Sequence, residues 1–399
     1  MLDRLTIERM RAEAGEGPIL IALSGGGDSV ALLHLLAEAL GAPRLRAAVV
    51  DHALREGSAA DADSALGFAE AIGVEGRKLT LSWPDGPKRA QHYARIARYG
   101  ALCEEARRIG AKLIATGHTR DDQAETVLLR SARGSGWRGL AGVRALAPAP
   151  VWPEGRDIRL ARPLLRTRRA ELRETLSTAG VGWIEDPANT NTDFARVRAR
   201  VQLAEMEAAG LDPMRFAALA ERLRPHVDEL DRAALALIDR SAAFEDDLII
   251  LDLGAWRAGA AIQHRALSVL LLSAGGGEAE PPADQVDALL PQLEGGAFQG
   301  ATLAGAWLKP ERRGLVIRRD PGALSGRSDG ARPLAPLGLN PGEEAIWDRR
   351  AALTSEESGW SITANTGAPT LSRGEARRPL AAVPVRWLIR ARVTHLLAT

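Results

Sequence analysis

The segment PILIALSGGGDSVALLHLL, residues 18–36, sets an apolar run, a serine-glycine turn and an amphipathic run in immediate succession. The apolar run 18–23 suits a buried strand, and Ser24-Gly25-Gly26-Gly27-Asp28-Ser29 suits a tight turn. Apolar positions at helical spacing over 28–40 suit a helix. The alternation repeats outward, with strands expected at 45–50, 77–81 and 112–116 and helices at 58–72, 89–109 and 121–130. Strands alternating with helices predict an α/β fold. Its parallel, Rossmann-like sheet would be covered on both faces, with ligands beyond the carboxyl ends of the strands.

Past Gly134 a Gly/Pro-rich stretch interrupts the pattern, which resumes with apolar residues at 158–165, a helix at 168–179 and a polar turn at 185–193. Residues 195–240 read as amphipathic helix. Residues 248–320 mix a strand (248–253), helices (260–273, 282–293) and strand-like runs (299–309, 314–319). The last stretch holds strand signals at Trp347, 360–364 and 383–389. The expected organisation is a catalytic domain at 1–200, a helical linker at 201–245, a smaller α+β accessory domain at 246–320 and a C-terminal domain at 321–399.

The chain has 399 residues, 46% of them apolar and 26% charged, which is ample for two or three domains. No window approaches the roughly 18 apolar residues of a membrane helix, and the longest candidate, 266–274, follows Arg265. The opening MLDRLTIERMRAEAGEG has no apolar core of a secretory signal and reads as a helix, so the expected location is cytoplasmic, with no membrane partner. Cys103 is the sole cysteine, which excludes an internal disulfide and a cysteine-rich metal site and suggests a small buried hydrophobe. Net charge is only +1, yet residues 130–200 carry fourteen arginines and no lysine against seven acids. Phosphate binding and genome base composition both produce such a bias.

The turn at Ser24–Ser29 is suited to an anion, because glycines let backbone amides face a ligand at the start of a helix. It lacks the lysine of a Walker A loop, and Val30 stands where a dinucleotide fingerprint needs its third glycine. His118, Asp122 and Glu125 fall at i, i+4 and i+7, one face of a helix beginning near His118. Asp121 reads as a cap.

The turn resembles the SGGxDS loop of the PP-loop ATP-pyrophosphatases, and further segments are similar to the tRNA(Ile)-lysidine synthases within that family. These are Asp51-His52-Ala53-Leu54-Arg55 with Ser58, Ala94-Arg95-Ile96-Ala97-Arg98-Tyr99, Gly117 to Thr126 (GHTRDDQAET) and Arg133-Gly134-Ser135-Gly136 with Gly139-Leu140. Arg162-Pro163-Leu164-Leu165 follows, then Trp183-Ile184-Glu185-Asp186-Pro187-Ala188-Asn189 running on to Arg200. Val197 departs from the asparagine the family carries after Arg196, which leaves open whether Arg196 or Arg200 meets the phosphates. Residues 250–399 resemble the family's accessory region only loosely.

The resemblance implies ATP-dependent adenylation of the wobble cytidine of tRNA(Ile) bearing a CAU anticodon, and displacement of AMP by free L-lysine. Ser24, Gly25, Gly26, Gly27, Asp28 and Ser29 would hold ATP, and Asp28 would hold Mg²⁺. Asp122 and Glu125 would hold the lysine ammonium, one of them taking its proton. His118, Arg196 and Arg200 complete the expected catalytic set, with His118 on the adenylate or phosphate. Arg133, Trp137 and Arg162 are expected tRNA contacts; Trp137 would make its contact by stacking on a base, against a simpler reading in which it packs. The expected partners are tRNA(Ile), free L-lysine and a second copy in a homodimer.

Three other readings compete. A tRNA-thiolating relative would need paired cysteines or an iron-sulfur cluster. A metabolic amide ligase would not be expected to carry the RGSG, RPLL and EDPAN segments. A non-catalytic RNA-binding module would have no use for Asp28, His118, Asp122 and Glu125 together.

Overall fold

The computed structural model describes residues 2, 4–54, 57–83, 91–185, 191–295, 297–326, 333–364 and 368–399. Arg55, the first two residues of the helix expected at 89–109, and Asp186, Pro187, Ala188 and Asn189 of the expected polar turn lie outside the described residues. The chain divides into two compact units, Met1–Asp228 and Glu229–Thr399.

The first unit opens with α1 (Arg4–Ala14), β1 (Ile19–Ala22), α2 (Gly27–Leu40), β2 (Leu45–Asp51), α3 (Ser58–Glu70) and β3 (Gly76–Thr80). Next come α4 (Gln91–Arg108), β4 (Leu113–Thr116), α5 (Arg120–Ala132), α6 (Trp137–Leu140), β5 (Leu146–Pro148) and β6 (Arg159–Ala161). The helices α7 (Arg169–Thr178), α8 (Ala195–Ala208) and α9 (Met214–Ser241) follow. The sheet has the order β3-β2-β1-β4-β6-β5 and is parallel apart from the edge strand β5. Ile19, Leu20 and Ile21 are at most 1% exposed, because β1 is covered on both faces, and its run is therefore apolar throughout rather than alternating. Each such side chain contributes about 1.5–3 kcal/mol of burial. Val30, Leu33 and Leu36 of α2, Ala65 of α3 and Leu172 of α7 share one core. Tyr99, Leu102, Cys103 and Ala106 of α4 share another with Leu20 and Ile114.

From β1 the chain moves to β2 and β3 on one side, then to β4 and β6 on the other, so the topology reverses between β1 and β4. A crevice at their carboxyl ends is where this class of sheet receives ligands. The glycine turn leaves β1 there, and residues 117–119 leave β4 beside it.

Within residues 201–245, expected as a linker, the helices α8 and α9 belong to the cores. Leu203 of α8 and Met214 and Ala217 of α9 pack with Ala124 of α5, and the boundary between the units falls inside α9. The expected single helical stretch breaks at Gly210, which takes φ +80°, and resumes after Pro213.

The second unit starts with β7 (Ala242–Glu245), β8 (Leu248–Leu251), α10 (Ala260–Gly275), α11 (Ala283–Glu294), β9 (Ala301–Leu303), β10 (Ala306–Glu311) and β11 (Gly314–Arg319). Its antiparallel sheet runs β7-β8-β11-β10-β9. α10 is buried continuously from Arg265 to Gly275, so the apolar run at 266–274 is a core helix. Among the described residues no helix is long and apolar enough to cross a membrane. After α12 (Pro321–Ser325) come β12 (Leu337–Gly338), β13 (Glu344–Trp347), β14 (Ala351–Thr354), β15 (Ser361–Thr363), β16 (Thr370–Arg373), β17 (Ala376–Pro379) and β18 (Val385–Trp387). They form two small antiparallel sheets, β12-β15-β16-β17 and β13-β14-β18, with Trp347, Trp360 and Leu371 in their core. The strand expected at 383–389 covers only β18. The chain then turns into a helix, α13 (Ile389–Leu397), whose Ile389, Val393 and Leu397 join the core around α10.

Candidate active site

The glycine turn is held from within by its serines. Ser24 and Ser29 hydroxyls lie 3.0 Å apart, and the Ser29 hydroxyl donates to the Gly26 carbonyl at 2.9 Å. Gly26 is the N-cap of α2 and offers no side chain, which leaves the first amides of the helix facing the crevice. Gly25 takes φ +80°, and a Cβ there would meet Ile184 Cδ1 at 2.6 Å. Ile184 donates its amide to the Gly25 carbonyl at 2.9 Å, so the Trp183-Ile184 segment closes down on the turn. Beside it, a Cβ on Gly117 would lie 2.7 Å from the Asp28 carbonyl oxygen. The loop after β4 and the first turn of α2 thus meet main chain to main chain.

The sequence placed His118 on the helix face with Asp122 and Glu125. Instead the helix starts at Arg120, and His118 sits in the turn after β4 with Nδ1 2.8 Å from the Thr116 hydroxyl. Burial, followed by the field of Arg162, pushes the His118 imidazole down to about 3, so the ring is neutral at ordinary pH. The cap of α5 is Thr119 rather than Asp121. The Asp122 carboxylate closes a capping box, its Oδ2 accepting from the Thr119 amide and hydroxyl at 2.8 Å each. Asp121 accepts from the Arg169 backbone amide at 2.8 Å.

Sequence reasoning missed Arg169. Its Nε donates to Asp28 Oδ2 at 2.9 Å, while its terminal nitrogens lie 3.3 Å from Asp122 Oδ1 and 3.4 Å from Glu125 Oε1. The signal was an arginine in the first turn of a helix, where the dipole disfavours a cation unless acids receive it. Arg200 adds a 2.7 Å bond to Glu125 Oε1, and Arg196 lies 3.9 Å from Asp122. Both arginines left open by the sequence therefore face the acids.

The three carboxyls differ in character. Burial raises Asp28 above the ordinary aspartate range despite Arg169. Burial and the Asp122 charge raise Glu125, against the pull of Arg200 and Arg169. At Asp122 burial is outweighed by Arg169 and the bonds from Thr119, which hold it below the ordinary range. Glu125 is 1% exposed, and its Oε2 has no hydrogen-bond partner among the described residues. Environments that push neighbouring carboxyls apart mark one as a fixed charge and the other as a proton acceptor.

Arg162, expected to touch tRNA, is instead 5% exposed. Its place immediately after β6 turns it inward, where it donates to the Arg144 carbonyl at 2.7 Å. Arg133 and Trp137 lie exposed after α5 and at the start of α6. Among the described residues no group of three or more acids, histidines or cysteines could hold a metal by itself.

Residues 3–207 match the family model described as a PP-loop domain. The chain is 34% identical over 385 residues to the tRNA(Ile)-lysidine synthase of Caulobacter vibrioides, covering 95% of this chain and 84% of that protein. The chain belongs to the tRNA(Ile)-lysidine synthase family. Other members are the synthase of Hyphomonas neptunium, 36% identical over 331 residues (77% of this chain, 83% of that one), and that of Mesorhizobium japonicum, 37% identical over 363 (88% and 76%). Matches of this length run through both units, so a lysidine synthase assignment covers the second unit as well as the crevice. The chain is accordingly an ATP-using, tRNA-modifying ligase. Thiolating and amide-forming relatives are not favoured.

Proposed function

We propose that this chain adenylates the wobble cytidine of tRNA(Ile) with a CAU anticodon and joins free L-lysine to it, releasing pyrophosphate and AMP. The α2 amides, Ser24 and Ser29 receive the phosphates, where the helix N-terminus favours negative charge. The cytidine carbonyl oxygen attacks the α-phosphorus and pyrophosphate leaves. The lysine ε-amine then adds to the base carbon that carries the adenylate, gives up its proton, and AMP departs. Asp122, held ionised, attracts the ammonium, and Glu125 Oε2 takes the proton. The observation that carries this reading is that buried, unpartnered oxygen, on a carboxyl raised above the ordinary glutamate range by burial and Asp122.

Mg²⁺ fits this site as a shared ligand rather than a caged one. Magnesium is commonly held by one or two carboxylates plus the substrate's phosphates, and Asp28 beside the phosphate-facing amides supplies one such carboxylate. Bound there, the ion would supply charge neutralisation to the triphosphate. Arg133 and Trp137 offer an exposed guanidinium and ring to the tRNA.

The test is incubation of the purified chain with ATP, tRNA(Ile) and radiolabelled L-lysine. Label entering the tRNA in step with AMP release is expected. AMP release without label in the tRNA would assign the acceptor elsewhere.

A further inference from the structure

Beside the acids, four guanidinium groups converge with little to balance them. Arg95 and Arg98 of α4 lie over the Tyr99 ring at 4.9 and 5.1 Å from its centroid, and Tyr99 is fully buried. Arg162 comes in from the end of β6. Its Nε and that of Arg98 are buried without a hydrogen-bond partner among the described residues. No carboxylate among those residues lies within ion-pair distance of Arg95, Arg98 or Arg162, and Arg196 reaches only Asp122, at 3.9 Å. Burying cations costs several kcal/mol each unless opposite charge receives them. Burial and the neighbouring guanidiniums Arg95 and Arg130 push Arg162 down to about 10 even with Tyr99 beside it, so it is still charged at neutral pH. A partly buried cationic cluster with so little opposing charge beside a cleft is suited to receive an anion.

Two features say which anion. Arg162 is 5% exposed and Tyr99 0%, a depth that suits the small end group of a free molecule rather than a polynucleotide backbone. The cluster also adjoins the acids. Arg196 bridges toward Asp122, and neutral His118 faces Arg162, Arg196 and Arg98 as well as Asp122. Adjacent sets of opposite sign complement a molecule that carries both an ammonium and a carboxylate.

We infer that Arg95, Arg98, Arg162 and Arg196 form the carboxylate subsite for the free amino acid. This rests on the reading of Asp122 and Glu125 as its ammonium site. The subsite makes the enzyme select an amino acid over a simple diamine, since both carry the amines but only one carries the carboxylate.

The experiment compares L-lysine with cadaverine, the same diamine chain without its carboxylate, using the full chain, ATP and tRNA(Ile) and reading AMP release and tRNA mass. Wild type should prefer lysine. Arg98→Gln should raise the KM for lysine by about tenfold or more, the worth of one charge-assisted hydrogen bond, and leave that for cadaverine unchanged. Arg98→Lys should recover part of the preference. Arg95→Gln, at a half-buried side chain, gives a second variant should the first fail to fold, with the same expected split. Equal losses for both amines, or a rise in the KM for tRNA alone, would overturn the subsite, the latter assigning the arginines to an RNA phosphate. A wild type that uses lysine and cadaverine equally overturns it too and leaves lysidine formation standing. A wild type that incorporates neither strikes at the proposed function itself.

Discussion

Arg169 of α7 and Asp28 of α2 form a 2.9 Å ion pair that ties the first turns of two helices together across the crevice. The same guanidinium reaches Asp122 and Glu125, so one side chain spans the carboxylate expected at the nucleotide and the pair expected at the amine. Such a group neutralises the acids before any ligand arrives and must share them afterwards.

Arg169→Ala leaves Asp28, Asp122 and Glu125 facing one another with far less balancing charge. We expect a loss of about 3 kcal/mol in urea unfolding, the cost of removing one partner from a buried ion network. AMP formation should fall by about a hundredfold or more. Arg169→Lys should restore part of the stability while lysine use remains impaired, because a single ammonium cannot copy a three-way fork. Unchanged melting and unchanged kinetics in the alanine variant would remove Arg169 from the site.

Glu125 sets a pH dependence with a definite sign. Its carboxyl is raised above the ordinary 4.5 by burial and Asp122, so the folded chain holds that proton more tightly than the unfolded one. Stability from this residue is therefore lost as pH climbs from the ordinary glutamate range through the raised value. Glu125→Gln, which keeps an oxygen for Arg200, should flatten that decline in Tm measured between about pH 4 and 8. Parallel Tm curves for the two proteins would show that Glu125 is not raised.

Asp122 has two tasks, and two substitutions separate them. Asn keeps an oxygen for the Thr119 amide and hydroxyl, whereas Ala removes the carboxylate half of the capping box, so Ala should cost about 1 kcal/mol more in stability. Both should raise the KM for lysine well above any effect on the KM for ATP. Equal changes in the two constants would take the ammonium away from this residue.

Cys103 is fully buried, with its thiol pushed up to about 12 by burial. Iodoacetamide should leave the native chain unmodified at neutral pH and label it once urea unfolds it, as intact mass will show. Rapid labelling of the native chain would contradict the packing of α4.

Much of the catalytic half was legible because local signals and the fold agree there. The apolar run into Ser24–Ser29, the strand before His118 and the acids of α5 each carry their pattern within about ten residues. Arg169 was harder to see, since its meaning comes from partners on α2 and α5 rather than from its neighbours in sequence. His118 was displaced from the helix face because Thr119, a better cap than any residue before it, starts α5 one step later. In the second unit, β17 is exposed at all four positions and shows no alternation for a reader to find. The helix α13 did carry a signal, since Ile389, Val393 and Leu397 repeat every four residues, but the preceding Val385–Trp387 run masked it. Arg162 looked like one more basic surface residue, and only the sheet shows that it points inward.

Gly117 gives the crevice a fixed gauge. Contacts made by side chains can be lengthened, shortened or recharged one substitution at a time, and the exposed rim at Arg133 and Trp137 is open to such change. Where Gly117 of the loop after β4 touches the first turn of α2, it has no side chain to exchange, and the first atom added would strike the Asp28 carbonyl. The separation is inherited from neighbouring parallel strands about 4.8 Å apart. The Asp28 carboxylate and the acids of α5 are therefore spaced by the pitch of the sheet itself, a dimension that sequence drift at the rim leaves alone.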